Sequence, residues 1–260
     1  METSATKTLA FEVHGSGTPV VFLHGLTFDR TVWRPIVDLM GGGFSCIMID
    51  LPGHGESAGA ARQMEEVAGA VHELLDDLGF ANPVVVGHSL GALLATIYAG
   101  SYPVAGVVNV DQALNQRPML GFLHQMEPAL RGENFAAAFE PFRQSIGVDM
   151  LPEPLRSSVA AHQTIRQDLV LGYWDEALRS DPGDMQERLD DLLDTIRARY
   201  LVVFGDRISD DDRAHLNQHL HALEIEEWPD RGHMVHLLEP DRFARRVTDF
   251  AAACIAAPTV

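Results

Sequence analysis

Ser89 stands in Gly87-His88-Ser89-Leu90-Gly91, between the β-branched run Pro83-Val84-Val85-Val86 and the apolar run Ala92-Leu93-Leu94-Ala95. A G-x-S-x-G between a strand and a helix makes a tight turn that lifts the serine hydroxyl out of the sheet. The two glycines suit a place where strand and helix backbones pass closely. The chemistry this favours is nucleophilic attack by Ser89; the bland alternative is an ordinary glycine-rich turn.

A serine hydroxyl needs a base, an acid that orients the base, and donors for the oxyanion of a tetrahedral intermediate. Phe22-Leu23-His24-Gly25-Leu26 ends an earlier apolar run. The loop after such a strand supplies one backbone N–H, and the residue after the serine supplies the other. Leu26 and Leu90 are therefore the expected oxyanion donors, and His24 is read as a loop-holding residue. The base is expected late in the chain. His233, in Pro229-Asp230-Arg231-Gly232-His233-Met234-Val235-His236, follows the last strand-like run. His236, next to Leu237-Leu238, is read as a packing or capping histidine.

These side chains need a scaffold that brings strand ends together. Strand-like runs lie at Leu9–His14, Pro19–Leu23, Ser45–Asp50, Val84–Val86 and Val104–Val110. Helical patterns lie between them, at Trp33–Met40, Met64–Leu78 and from the Ser89 turn to Ser101. This alternation argues for an α/β fold, a mostly parallel doubly wound sheet with helices on both faces. From Gln112 to about Arg197 the pattern is helical only, punctuated by prolines. It resumes at Tyr200–Phe204, continues with a helix to His219 and the run Leu223–Trp228, and closes with an amphipathic helix over about Arg242–Ile255. The expected organisation is a core of residues 1–111 and 198–260 with a helical cap inserted at 112–197.

In order and spacing, Leu23-His24-Gly25, Asp50-Leu51-Pro52-Gly53-His54-Gly55-Glu56-Ser57, Gly87-His88-Ser89-Leu90-Gly91 and Gly232-His233 resemble the motifs of α/β-hydrolase fold enzymes. The resemblance covers about 8–113 and 198–256; the insertion matches the family's cap by position only. It implies a serine hydrolase and does not identify a substrate. The chain departs from the common pattern at the acid. Many members carry it three residues beyond the glycine of the loop after Tyr200–Phe204, where this chain has Ile208. Asp111, Asp206 and Asp210 compete for the role. Asp111 is favoured, because a minority of the family places the acid directly after the strand Val104–Val110. Asp210-Asp211-Asp212 opens a helix, where carboxylates are favoured by the helix dipole.

The resemblance implies hydrolysis of a carboxylic ester or lactone. It also admits C–C bond hydrolases and cofactor-free perhydrolases on the same residues. Ser at position 89 argues against the dehalogenase and epoxide hydrolase members, which use a carboxylate nucleophile. A rival from another class is a ligand receptor on a hydrolase scaffold, distinguished by slow turnover of its ligand. Aromatic residues of the insertion, with Phe28 and Trp33 from the oxyanion side, favour an apolar acyl or aromatic substrate in the cleft between cap and sheet. Phe28 and Trp174 are the expected substrate-binding residues.

Other classes fit poorly. The chain has 260 residues and a formal net charge of −18, which opposes nucleic acid and anionic membrane surfaces. Cys46 and Cys254 read as buried thiols, and no disulfide framework is visible. The first residues lack a signal-peptide pattern, so a cytoplasmic location is expected; a homodimer is compatible with the sequence. Neither Gly41-Gly42-Gly43 nor Gly15/Gly17 fits a nucleotide-binding loop. His215, His219 and His221 read as a solvated helix face, since zinc spacing there lacks a further ligand. No cofactor and no metal are expected.

Overall fold

The structure, a computed structural model, describes residues 9–256. Seven strands form one sheet: β1 (Phe11–Gly15), β2 (Gly17–Leu23), β3 (Gly43–Ile49), β4 (Val84–His88), β5 (Gly106–Val110), β6 (Arg199–Phe204) and β7 (Leu223–Glu227). Their order is β1-β3-β2-β4-β5-β6-β7, with β1 antiparallel to β3 and every other pair parallel. The nucleophile strand β4 lies between β2 and β5 at the centre.

Alternation along the strands decides which helix packs where. Val21, Leu23, Ile47, Ile49, Val85, Val107 and Val202 face α2 (Met64–Asp77) and α3 (Leu90–Ser101). Val20, Phe22, Cys46, Met48, Val86, Val108 and Val203 face α1 (Arg34–Val37), α11 (Val235–Leu238) and α12 (Pro240–Ala256). With both faces covered, the central strands are apolar at nearly every position, as a parallel sheet requires. Helix α12 buries Phe243, Val247, Phe250, Ala251 and Cys254, one stripe at helical spacing.

Between β5 and β6 the described residues form six α-helices and no strand: α4 (Arg117–Arg131), α5 (Phe135–Ser145), α6 (Leu155–Ala161), α7 (Gln167–Tyr173), α8 (Asp175–Arg179) and α9 (Pro182–Leu193). The remaining helix, α10 (Asp210–His219), joins β6 to β7. Prolines read from the sequence as breaks divide by position. Pro182 opens α9 behind its cap Asp181, where the missing N–H costs nothing. Pro128 and Pro141 lie inside α4 and α5, so tertiary packing outweighs the hydrogen bond each forgoes. The helix expected over Trp33–Met40 is a 3₁₀ turn, Arg30–Trp33, followed by the single turn α1. Pro35 lies in the first turn of α1, which ends at Val37, and Gly41 and Gly42 lead into β3.

Candidate active site

The site is assembled at the carboxyl ends of β2, β4, β5 and β6. Ser89 sits between β4 and α3 with φ +54° and ψ −122°, a conformation costing a non-glycine residue on the order of 1–3 kcal/mol. The neighbours enforce it. A Cβ on Gly87 would fall on the Gly91 carbonyl, and one on Gly91 would fall on the Leu23 carbonyl. The Ser89 N–H donates to Val110 O (3.0 Å), tying the turn to the end of β5.

Directly after β5, Asp111 also turns left-handed, with φ +54°. Its carboxylate accepts from His233 Nδ1 through Oδ2 (2.7 Å) and from the Gly205 N–H through Oδ1 (2.8 Å). The Gly205 carbonyl in turn accepts from Arg231 N (2.9 Å) and Gly232 N (3.0 Å). One chain of hydrogen bonds thus runs from the acid at the end of β5, through the end of β6, to the loop of His233. Gly205 has no room for a side chain, since its Cβ would lie on the Gly232 carbonyl. With Nδ1 engaged, Nε2 is the nitrogen His233 has left for proton transfer. Among the described residues Asp111 is the one carboxylate hydrogen-bonded to His233. Asp206 is exposed near the rim, and Asp210 is exposed on the first turn of α10. Ile208 packs against the core and donates its N–H to Glu227 (2.9 Å).

Leu26 and Leu90 line the cavity that contains Ser89. Leu90 opens α3, so its N–H has no acceptor within the helix. His24 and His54 shape the β2 loop. His24 is fully buried, donates from Nδ1 to Gly25 O (2.8 Å) and accepts the Leu51 N–H at Nε2 (2.9 Å). His54 Nε2 donates to Leu26 O. Burial pushes the His24 pKa well below its ordinary value, with His54 adding to the shift, so this ring stays neutral and structural.

His88, whose role the sequence left unread, lies beneath the site. It is fully buried, and its Nε2 donates to His233 O (2.9 Å). Its ring centroid is 4.6 Å from that of His233 and 4.5 Å from that of His236. Burial first, then its histidine neighbours, lowers the His88 pKa well below the usual range. A neutral donor at position 88 holds the loop of His233 without adding charge next to it. His236 packs among Trp33, Phe243 and His88, and burial takes its pKa to about 3.

Two cavities of about 440 and 660 Å³ share Ser89, Gln112, Gln116, Met119 and Phe142. The larger also contains Asp111 and His233. The smaller extends between α3 and the inserted helices, past Leu93, Leu123, Tyr173 and Trp174. Trp174, an expected substrate-binding residue, is thus part of the lining of the cavity that contains Ser89. Phe28 does not reach either cavity. It is buried beside His88 at 6.1 Å between ring centroids and lines a separate recess with Val32, Leu155 and Val159. Trp33 is fully enclosed by Phe22, His236 and Phe243. Arg62 and Met119, which spacing could not single out, line the Ser89 cavity.

His215 and His219 correct the sequence reading as well. They do not form a solvated face: His219 is buried and His215 nearly so, both against α9. His221 is exposed.

The chain belongs to the alpha/beta hydrolase family, whose model matches residues 20–246. Proteins named as hydrolases and esterases are among its relatives and structural neighbours. It is 31% identical over 195 residues to the 2-(acetamidomethylene)succinate hydrolase of Mesorhizobium japonicum, covering 65% of this chain and 70% of that one. It is 31% identical over 188 residues to the dihydrolipoyllysine-residue acetyltransferase component of the acetoin cleaving system of Pseudomonas putida, covering 62% of this chain. The match spans about half, 51%, of that relative's length. Among solved structures, a thermophilic esterase from Thermogutta terrifontis superposes with a TM-score of 0.68 at 25% identity, covering 95% of this chain and 93% of that one. Est816, an N-acyl homoserine lactone degrading enzyme, shares the fold with a TM-score of 0.73 at 22% identity, over 93% of this chain and 96% of that one. No described helix is long and apolar enough to cross a membrane.

Proposed function

We propose that the protein hydrolyses a carboxylic ester or lactone through an acyl-enzyme on Ser89. The observation that carries this reading is the 2.7 Å contact between His233 Nδ1 and Asp111 Oδ2, in a cavity that also holds the strained Ser89. Ser89 Oγ attacks the carbonyl carbon while His233 Nε2 takes its proton. The N–H groups of Leu26 and Leu90 hold the oxyanion. Asp111 stabilises the imidazolium and keeps its tautomer. Collapse of the tetrahedral intermediate expels the alcohol oxygen, which takes the proton from His233. A water, deprotonated by the same ring, attacks the acyl-enzyme; the second tetrahedral intermediate expels Ser89 Oγ, which takes the proton back from His233, and the acid is released.

The apolar walls from Leu93, Leu120, Leu123 and Trp174 favour an apolar acyl or aromatic group. The esterase and lactonase names borne by structural neighbours are consistent with that class. The test pairs a fluorophosphonate probe with a panel of p-nitrophenyl esters of rising chain length and several lactones. Wild type is labelled at Ser89 alone and turns over at least one ester or lactone. Ser89→Ala loses labelling and loses activity on the order of a million-fold, the scale of removing the nucleophile in a serine protease. Labelling elsewhere, or an active Ser89→Ala, would overturn the mechanism.

A further inference from the structure

We propose that Asp190, His215 and His219 form a binding site for a divalent transition-metal ion of the zinc type, joining the last helix of the insertion to the helix after β6. His215 and His219 stand i, i+4 on α10, so their rings share one face, with centroids 4.8 Å apart. The ligand that helix spacing cannot supply comes from α9. Asp190 Oδ1 lies 2.8 Å from His215 Nε2 and 4.0 Å from His219 Nε2. One ligand atom from each of the three residues falls within 4.8 Å of the other two. Zinc bonds of about 2.0–2.2 Å in tetrahedral array space their ligand atoms by roughly 3.3–3.6 Å, so small side-chain rotations would close a shell around an ion.

Three further features fit. First, His219 Nδ1 donates to Asp194 Oδ1 (2.9 Å), which turns Nε2 toward Asp190. Such an outer carboxylate fixes the tautomer and raises the basicity of a ligating histidine. Second, the side chains of His215, His219 and Asp190 are only 11%, 8% and 19% exposed, which leaves a narrow opening for a water as fourth ligand. Third, both histidines turn the same atom, Nε2, toward Asp190, so each can ligate with its Nδ1 carrying the proton. Two carboxylates, Asp190 bound and Asp194 behind, balance a divalent charge. Two imidazole nitrogens favour zinc-like ions over magnesium or calcium, which prefer oxygen ligands.

The position gives the site a consequence. Gln186, fully buried, donates to Asp190 Oδ1 (2.6 Å) and Leu114 O (3.1 Å) and accepts the Gln116 N–H (2.6 Å). Residues 114–116 lead into the insertion, and α9 leads out of it. An ion on Asp190 therefore clamps the two strands of chain at the base of the insertion, one amide away from Gln116 in the Ser89 cavity.

The test uses the full chain without an affinity tag, stripped by chelator near neutral pH. Titration with Co²⁺ by visible absorption and with Zn²⁺ by calorimetry should give one site per chain. His215→Ala and His219→Ala should each weaken binding more than about a hundredfold. Asp194→Asn should weaken it by about ten- to a hundredfold, the range for an outer-shell partner. Ser89→Ala should bind as wild type does, since the site is separate from the nucleophile. X-ray absorption of the Zn²⁺-loaded wild type needs no variant and should show two imidazoles in the first shell. Absence of saturable one-to-one binding, binding that survives the double histidine variant, or a shell with fewer than two imidazoles would each overturn the proposal.

Discussion

Asp111 carries the sharpest residue-level expectation. Its two carboxylate oxygens serve two partners, His233 Nδ1 and the Gly205 N–H. An amide at this position cannot stabilise an imidazolium, and the corresponding change in a serine protease costs about ten-thousand-fold in turnover. Asp111→Asn should lower kcat on this scale, whereas Asp206→Asn and Asp210→Asn should remain within roughly tenfold, or about 1.4 kcal/mol of barrier. Steady-state kinetics on the best ester of the panel decides; a crippled Asp210 variant beside an active Asp111 variant would move the acid to the later loop. His236 gives a second test. Burial holds it neutral in the folded chain, with a pKa of about 3, while the unfolded chain protonates near 6.5. The unfolded state therefore binds more protons below 6.5. The stability tied to this ring is complete above that pH and is lost as pH falls toward 3, at up to about 1.4 kcal/mol per pH unit. Both its nitrogens are buried without partners among the described residues, so an apolar ring can replace it. Urea melts of His236→Phe should show the variant gaining on wild type by about 2 kcal/mol between pH 8 and pH 5. His24 and His88 keep wild type and variant alike acid-sensitive.

The elements meet closely at the turn between β4 and α3. Gly91 passes against the carbonyls of Leu23 and His24 at the end of β2. A methyl group there must push strand and helix apart at the point that sets the Ser89 hydroxyl. Gly91→Ala should cost about 1–3 kcal/mol of stability, the usual range for overpacking, and a still larger share of activity. Gly42→Ala is the matched control: nothing lies within 4 Å of its added Cβ, and its stability should change by less than about 0.5 kcal/mol. Chemical denaturation of the two variants makes the comparison. Equal losses would mean that the close approach at Gly91 is not under compression.

The Ser89 cavity belongs to no single part of the chain, since sheet and insertion each form one wall. Trp174 packs edge-on against Phe142, at 5.3 Å between ring centroids, and 6.0 Å from Phe139. It is also only 9% exposed. Truncation to alanine would therefore confound selectivity with a packing loss of about 3–5 kcal/mol. Trp174→Phe keeps an aromatic in place and widens the cavity. It should shift preference toward longer or bulkier acyl groups at a stability cost below about 1.5 kcal/mol. The profile of kcat/KM against chain length reads the effect, and an unchanged profile with a lowered Tm would assign Trp174 to packing alone.

Local pattern reaches far in this chain because strands and helices write their periods into short windows. The alternating runs and the Gly-His-Ser-Leu-Gly turn made the α/β class, the succession of strands and helices along the chain and the tight turn at Ser89 legible. Candidate residues for base and acid were legible too, since each follows a strand and strand ends converge in a parallel sheet. Which carboxylate meets His233 was open among Asp111, Asp206 and Asp210, because the answer depends on a hydrogen-bond chain through Gly205 that links residues more than ninety positions apart. Position and type misplaced Phe28 for a similar reason: an aromatic beside the oxyanion loop can point to either side of it, and packing against His88 turns it away from Ser89. The same limit hid Asp190 from His215 and His219. Helix period brings residues four apart together, but only the packing of α9 on α10 brings a third ligand across 25 residues of sequence.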